Sequence, residues 1–274
     1  MAETISSAAN PLVKRIRLLA SRKHRREQGA FVVEGLGPVW RAVSAGWPIE
    51  VLVTDGDLRA DSRAAAMVAE QEATGVRVAR LSNELFGRLS SREGPAGLAA
   101  IVGSRKLALA ELAVPEGGVF VALHQIGNPG NLGTIIRTAD ATGSAGVILI
   151  GETTDPYAPA AVKASMGSLF AVSVAHATTA EEFLAWSGTR GISVLATSDG
   201  ADTSHWATTY QPPLAILLGS EGQGLPGELL ASAAQRIAIP MTGTADSLNL
   251  AAAAAVMLYE VRRQLVGDAS QTAR

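Results

Sequence analysis

The chain has 274 residues, 47% of them hydrophobic, a formal charge of -2 and no cysteine. That is enough apolar material for one large or two modest domains, while the lack of Cys excludes disulfides and thiolate metal sites and suits a reducing cytoplasm. No stretch approaches the roughly 18 apolar residues of a membrane span, the N-terminus has no apolar signal-peptide region, and His24, His124, His176 and His205 show no metal-ligand spacing.

The first predicted element is a helix over Pro11–Glu27, with Ser6, Ser7 or Asn10 as caps and Gly29 as its stop. Charge gathers here. Residues 1–103 hold 14 Lys/Arg against 11 Asp/Glu, net +3, whereas residues 104–274 hold 9 against 14, net -5. Lys14, Arg15, Arg22, Lys23, Arg25 and Arg26 are therefore the candidate phosphate-binding residues. A solvated basic helix without a partner would look the same. Strands are predicted at Phe31–Val33, Ile49–Val53, Val76–Val78 and Gly97–Val102, with the turn Asp55-Gly56-Asp57 and an Ala-rich helix over 59–73 between them. This makes a small α/β domain over 1–103, closed by a linker over 104–116 that is marked by Ser104-Arg105-Lys106 and by the Pro115-Glu116-Gly117-Gly118 stretch into which it runs.

Residues 117–274 form the second predicted domain. Short apolar runs at Val119–Leu123, Gly146–Ile150, Ile192–Thr197, Leu214–Leu218 and Arg236–Ile239 alternate with helical segments, which is the pattern of an α/β fold with a parallel sheet. A periodic helix over Ser247–Leu265 ends the domain.

Three Gly- and polar-rich segments follow predicted strands, where open α/β sheets place ligands: Gly127–Asp140, Leu218–Leu225 and Ile239–Ala251. None matches the dinucleotide fingerprint or the P-loop, and each alone fits a structural turn equally well. If 131–143 is helical, Asn131 opens it and Arg137 follows about two turns on, an amide and a guanidinium suited to ribose hydroxyls and phosphate. Ser247 and Asn249 stand at the entrance to the last helix, where Ser247 also reads as an N-cap and Asn249 offers an amide to a ligand. Glu221, between glycines, reads as a site residue or as an exposed loop acid.

Together, Asn131 with Arg137, the Leu-Gly-Ser-Glu-Gly-x-Gly-Leu loop over 218–225, and Ile239-Pro240-Met241 followed by Ser247-Leu248-Asn249-Leu250-Ala251 resemble the three signature motifs of the SpoU (TrmH-like) RNA methyltransferases of the SPOUT class. The resemblance covers about 117–265. Ile5–Lys14 and Phe31–Gly35 resemble the family's L30e-like substrate-binding domain. Three positions depart from the pattern: His124 and Asn128 stand where Asp is frequent, and Gly37 stands where Arg is frequent, which bears on how RNA is contacted.

The resemblance implies a parallel sheet tied into a deep trefoil knot plus the smaller N-terminal L30e-like α/β domain. It also implies S-adenosyl-L-methionine (AdoMet) as methyl donor, no metal, and a homodimer. Thr197, Gly219, Ile239 and Leu248 would hold the cofactor, and Arg137, Asn131, Glu221, Ser247 and Asn249 would form the catalytic constellation. The implied activity is methylation of a ribose 2'-OH in RNA, with the N-terminal domain favouring 23S rRNA over tRNA. A resistance-conferring rRNA methylase and a catalytically silent RNA-binding protein remain as alternatives, whereas a Rossmann oxidoreductase lacks its fingerprint.

Overall fold

The computed structural model describes residues 4–56, 58, 62–90 and 97–272, with side chains described through residue 266. Asp57 of the expected turn and residues 59–61 of the expected helix lie outside the described residues. The chain divides into two compact units, one of residues 1–105 with 157–171, the other of 106–156 with 172–274.

The first unit opens with two helices where one was expected, α1 (Pro11–Leu18) and α2 (Arg22–Gln28). Asn10 accepts from the Leu12 amide at the start of α1, and Gly29 ends α2 in the left-handed conformation. The break between them is held by Arg25, whose guanidinium donates to the carbonyls of Leu19 (3.0 Å) and Ala20 (2.7 Å). There follow β1 (Ala30–Glu34), α3 (Leu36–Ser44), β2 (Ile49–Thr54), α4 (Arg63–Ala73), β3 (Arg77–Arg80), α5 (Asn83–Leu89) and β4 (Leu98–Gly103). The sheet order is β1-β4-β2-β3, antiparallel except for the β2/β3 pair. Alternation sends Val51, Val53 and Ile101 to one face, where they pack with Leu12, Val13 and Phe86 from α1 and α5.

In the second unit β5 (Leu107–Ala108) and a 3-10 turn at Leu109–Glu111 occupy part of the stretch read as linker. Leu109 and Leu112 are buried there, which gives the stretch a packing role. The remaining elements are β6 (Val119–His124), α6 (Pro129–Thr142), β7 (Gly146–Ile150), α7 (Pro159–Ser165), β8 (Val174–Ala177), α8 (Ala180–Thr189), β9 (Ser193–Thr197), β10 (Leu214–Leu218), α9 (Gly227–Ser232), β11 (Gln235–Ile237) and α10 (Leu250–Thr272). Of these, α7 and the following 3-10 turn Ser168–Phe170 belong to the first unit. There Tyr157 and Phe170 join Phe31 and Trp47 in an aromatic cluster, and the Arg105 guanidinium lies 4.7 Å from the Trp47 ring centroid.

The second sheet is wholly parallel, with strand order β11-β9-β10-β6-β7-β8-β5. One face packs Phe120, Ala122, Ile148, Ile150, Ala215 and Leu217 against Phe183 and Trp186 of α8. The other is covered by α6 and α10, which supply the buried Leu132, Ile135, Ala254, Met257 and Leu258. The chain runs from β6 outward through β7 to β8, then crosses to β9 and returns to insert β10 beside β6. The carboxyl ends of β6 and β10 therefore flank the switch point, where such sheets bind ligands. No described helix is long and apolar enough to cross a membrane.

Candidate active site

The three polar segments leave β6, β10 and β11 at this same end of the sheet. After β6, Asn128 caps α6, its Oδ1 accepting from the amides of Gly130 (2.8 Å) and Asn131 (3.1 Å), with Pro129 at the first helical position. Asn128 entered the sequence reading only as a departure from a family pattern. An Asn directly before Pro at a helix start was its local signal.

Capping fixes Asn131 in the first turn of α6, where each end of its amide makes one hydrogen bond and keeps a second donor and acceptor position open. Asn131 Nδ2 donates to Glu221 Oε1 at 2.8 Å, and Asn131 Oδ1 accepts from Asn249 Nδ2 at 3.1 Å. Because the Glu221 carboxylate can only accept, the orientation of both amides follows. Asn249 Oδ1 in turn accepts from the amides of Ala251 (2.9 Å) and Ala252 (3.4 Å), so Asn249 is the N-cap of α10. This corrects the reading of Ser247 as the cap: Ser247 lies before the helix, exposed, and forms no hydrogen bond among the described residues.

Arg137 is on the same helix as Asn131 but stands apart from this network. Six residues at roughly 100° each leave the two about 120° apart around the axis, so they do not share a face as two full turns would require. Arg137 is exposed and makes no ion pair or hydrogen bond among the described residues. Its charge is available to an anion that the chain itself does not provide.

Gly219 follows β10 where the chain turns on itself. The amides of Ser220 and Gly224 bond each other's carbonyls at 3.2 and 3.0 Å, and a Cβ on Gly219 would stand 2.2 Å from the Gly224 carbonyl carbon. Only glycine fits. Thr197 ends β9 with its hydroxyl donating to the Leu217 carbonyl at 3.1 Å. Ile239 is half-buried just beyond β11, and Leu248 is exposed. Among the described residues, 239–248 make no hydrogen bonds, leaving a run of backbone donors and acceptors open at the same end of the sheet as the Gly219 turn.

His124 ends β6, buried, with Nδ1 lacking a partner. Burial lowers its pKa, so the ring is neutral near pH 7. No cluster of three or more His, Asp or Glu among the described residues could hold a metal ion.

The basic segment of the first unit divides by burial. Lys14, Arg22 and Arg26 are exposed, while Lys23 is exposed and 3.9 Å from Glu27. Arg15 is half-buried and tied to Gln28 (2.9 Å) and Glu50 (2.6 Å). Arg25 is only 6% exposed. Its expected role as a phosphate contact is corrected: its charge is spent inside the protein on the α1–α2 junction.

Residues 118–259 match the model of the SpoU rRNA Methylase family, and residues 10–100 match that of the MRM3-like substrate binding domain. The fold is similar to the crystal structure of an AdoMet-bound rRNA methyltransferase from Sinorhizobium meliloti, with a TM-score of 0.88 and 39% identity over 96% of this chain and 98% of that one. The 23S rRNA (uridine(2479)-2'-O)-methyltransferase of Streptomyces viridochromogenes is 31% identical over 93% of this chain and 90% of its own length. The 23S rRNA (guanosine(2553)-2'-O)-methyltransferase of Bacillus subtilis is 30% identical over 94% and 98% respectively. The polar network at the switch point thus sits in a chain that belongs, along both units, to the SpoU rRNA methylase family.

Proposed function

We propose that this protein transfers the methyl group of AdoMet to a ribose 2'-OH of 23S rRNA in the cytoplasm. The observation that carries the reading is the Asn131–Glu221–Asn249 network, which draws segments 90 and 118 residues apart into one polar site at the switch point. Relatives named as 23S rRNA 2'-O-methyltransferases match along nearly the whole chain, which favours rRNA over tRNA.

The cofactor fits the residues present. The open backbone of 239–248 and the closed turn at Gly219 suit the polar edges and apolar faces of an adenosine, with Thr197, Ile239 and Leu248 around it. Bound AdoMet supplies a methyl already activated by its sulfonium leaving group. The protein has to align the 2'-OH with that carbon while the hydroxyl proton passes to solvent water. The Arg137 guanidinium holds the RNA phosphate and stabilises the developing alkoxide. Glu221 and Asn249 hold Asn131, which faces the nucleotide, and Ser247 closes the loop over it. Lys14, Arg22, Lys23 and Arg26 contact phosphates further along the RNA.

A homodimer through α10 completes the reading. Val256 and Tyr259 lie one turn apart on that helix and are 36% and 55% exposed, an apolar stripe that a second copy would cover.

Transfer of labelled methyl from AdoMet to a 23S rRNA transcript, with wild type beside Arg137→Ala, tests the proposal. Label in an alkali-resistant dinucleotide, abolished by the substitution, is the expected result. Label on a base refutes 2'-O chemistry, transfer to tRNA alone refutes the rRNA assignment, and no turnover on any RNA favours a silent binder.

A further inference from the structure

His124 is a buried ionisable group at the switch point that methyl transfer, as described so far, does not use. It is 8% exposed, its Nδ1 has no hydrogen-bond partner, and it is the last residue of β6. Strand alternation fixes the face it occupies. Phe120 and Ala122 precede it at every second position, so its side chain leaves the sheet on their side, the side of the core that Ile150, Leu217, Leu225 and Leu229 share. Strand pairing fixes its lateral neighbours. His124 is opposite Ile150 of β7, and one step beyond the Leu123–Leu218 pair it is opposite Gly219.

Gly219 brings no side chain to that rung, and the chain itself takes the space. A Cβ there would point to the same face as His124 and stand 2.2 Å from the Gly224 carbonyl carbon and 2.5 Å from the Leu225 nitrogen. The returning limb of the 219–225 turn therefore lies about one strand spacing, roughly 4.8 Å, from His124 on the side where the imidazole projects. Leu225, 9% exposed, carries that limb into the core. The tip of the same turn holds Glu221, whose carboxylate accepts from Asn131 Nδ2 at 2.8 Å. One short turn thus has His124 at its base and the polar network at its tip.

We propose that His124 is a positioning residue for methyl transfer: its ring supports the base of the 219–225 turn and so keeps Glu221 within reach of Asn131. The inference rests on the RNA-methylase reading above. It makes the network conditional on a neutral ring, because an imidazolium there would be buried without a counter-charge. β6, β7 and β10 hold no other ionisable side chain. Around this end of the sheet Glu152, Glu181, Glu182, Glu221 and Glu228 are all exposed, and His176, between Ala175 and Ala177, lies on the opposite face of β8. Burial alone lowers the His124 pKa, with no neighbouring charge opposing it. Its folded value thus lies below the ordinary value of about 6.5, so the closed turn keeps its full stability above about pH 6.5 and loses it progressively as pH falls below.

The test combines kcat for methyl transfer to a 23S rRNA transcript, measured from about pH 5 to about 8.5, with NMR titration of the assigned imidazoles. In wild type, kcat should fall at least about twofold toward pH 5, with the same midpoint as the His124 titration. His124→Gln carries a neutral side chain that does not titrate, so its acid fall should vanish whatever its rate at neutral pH. A residue that merely filled space would leave that limb of the profile in place. Asn131→Ala releases Glu221 and loosens the turn, which by reciprocity should raise the His124 midpoint toward about 6.5. This second arm needs neither turnover nor a folded His124 variant. An acid fall retained by His124→Gln, or a His124 midpoint unmoved in Asn131→Ala, overturns the positioning role, while wild-type transfer leaves the methylase reading standing. Absence of transfer by wild type at every pH overturns that reading, and the role with it.

Discussion

Replacing Asn131 by Asp changes one atom of the polar network and removes the donor of one hydrogen bond. The new carboxylate can still accept from Asn249 Nδ2, whose present distance is 3.1 Å. Toward Glu221 it presents an oxygen where a donor now stands at 2.8 Å. The loss of a hydrogen bond to a charged acceptor is worth about 1.5–3 kcal/mol. Two like charges at that separation add about 1.5 kcal/mol even with the full dielectric of water, the appropriate limit because Glu221 is exposed. A penalty of about 3–4.5 kcal/mol corresponds to roughly a 150- to 2,000-fold fall in kcat/KM if the network must be intact for transfer. The fold should survive, since the packing of α6 against the sheet is untouched. The double variant Asn131→Asp with Glu221→Gln restores a donor–acceptor pair with its polarity exchanged. It should recover at least tenfold over Asn131→Asp in methyl transfer to 23S rRNA. Wild-type activity in Asn131→Asp, or no recovery in the double variant, would refute the claim that Glu221 acts by holding Asn131.

Other substitutions separate positioning from folding. Arg137→Lys keeps the charge but loses the planar fork, so transfer should fall at least tenfold, read as kcat, while circular dichroism and AdoMet binding stay unchanged. Gly219→Ala drives a Cβ to within 2.2 Å of backbone, and calorimetric titration should show AdoMet affinity falling by at least tenfold as the turn opens. Arg25→Ala removes two hydrogen bonds from a buried guanidinium and should cost about 2–4 kcal/mol in denaturant unfolding; Arg22→Ala with Arg26→Ala should leave stability unchanged and weaken RNA binding with a shallower salt dependence. The Glu260 carboxyl is held down to about 2 by its hydrogen bond from Arg263, then by Gln264 and nearby positive charge, against a desolvation effect that opposes them. Its folded pKa lies below its unfolded value, so its stabilisation is complete above about 4.5 and lost as pH falls toward about 2. The difference in melting temperature between wild type and Glu260→Gln should shrink over that window.

Much of the fold was legible because its strands are short, apolar and separated by strong breakers. Gly146–Ile150 and Leu214–Leu218 were read to the residue, since a fully buried parallel strand has no polar positions to blur its ends. The misreadings share a cause, which is that local pattern carries no information about partners. Leu107–Leu112 looked like a linker because two residues of edge strand leave no periodic trace, and only the parallel neighbour β8 makes them a strand. Residues 11–27 looked like one helix because nothing in Leu18–Ser21 breaks it locally. The break is imposed by a buried guanidinium turning back onto the carbonyls of Leu19 and Ala20. A trefoil knot, likewise, concerns the order in which segments thread, to which periodicity is blind.

The site shows the same division between residue types and connections. Composition and spacing singled out Asn131, Glu221 and Asn249 while leaving open whether each was a cap, a loop acid or a ligand group. The structure makes these readings compatible. Asn249 caps α10 with its oxygen and reaches Asn131 with its nitrogen, so one side chain is both a structural cap and a member of the network. A helix terminus built this way ties the geometry of the polar site to the folding of α10. Fraying the start of that helix should therefore cost activity before it costs the fold.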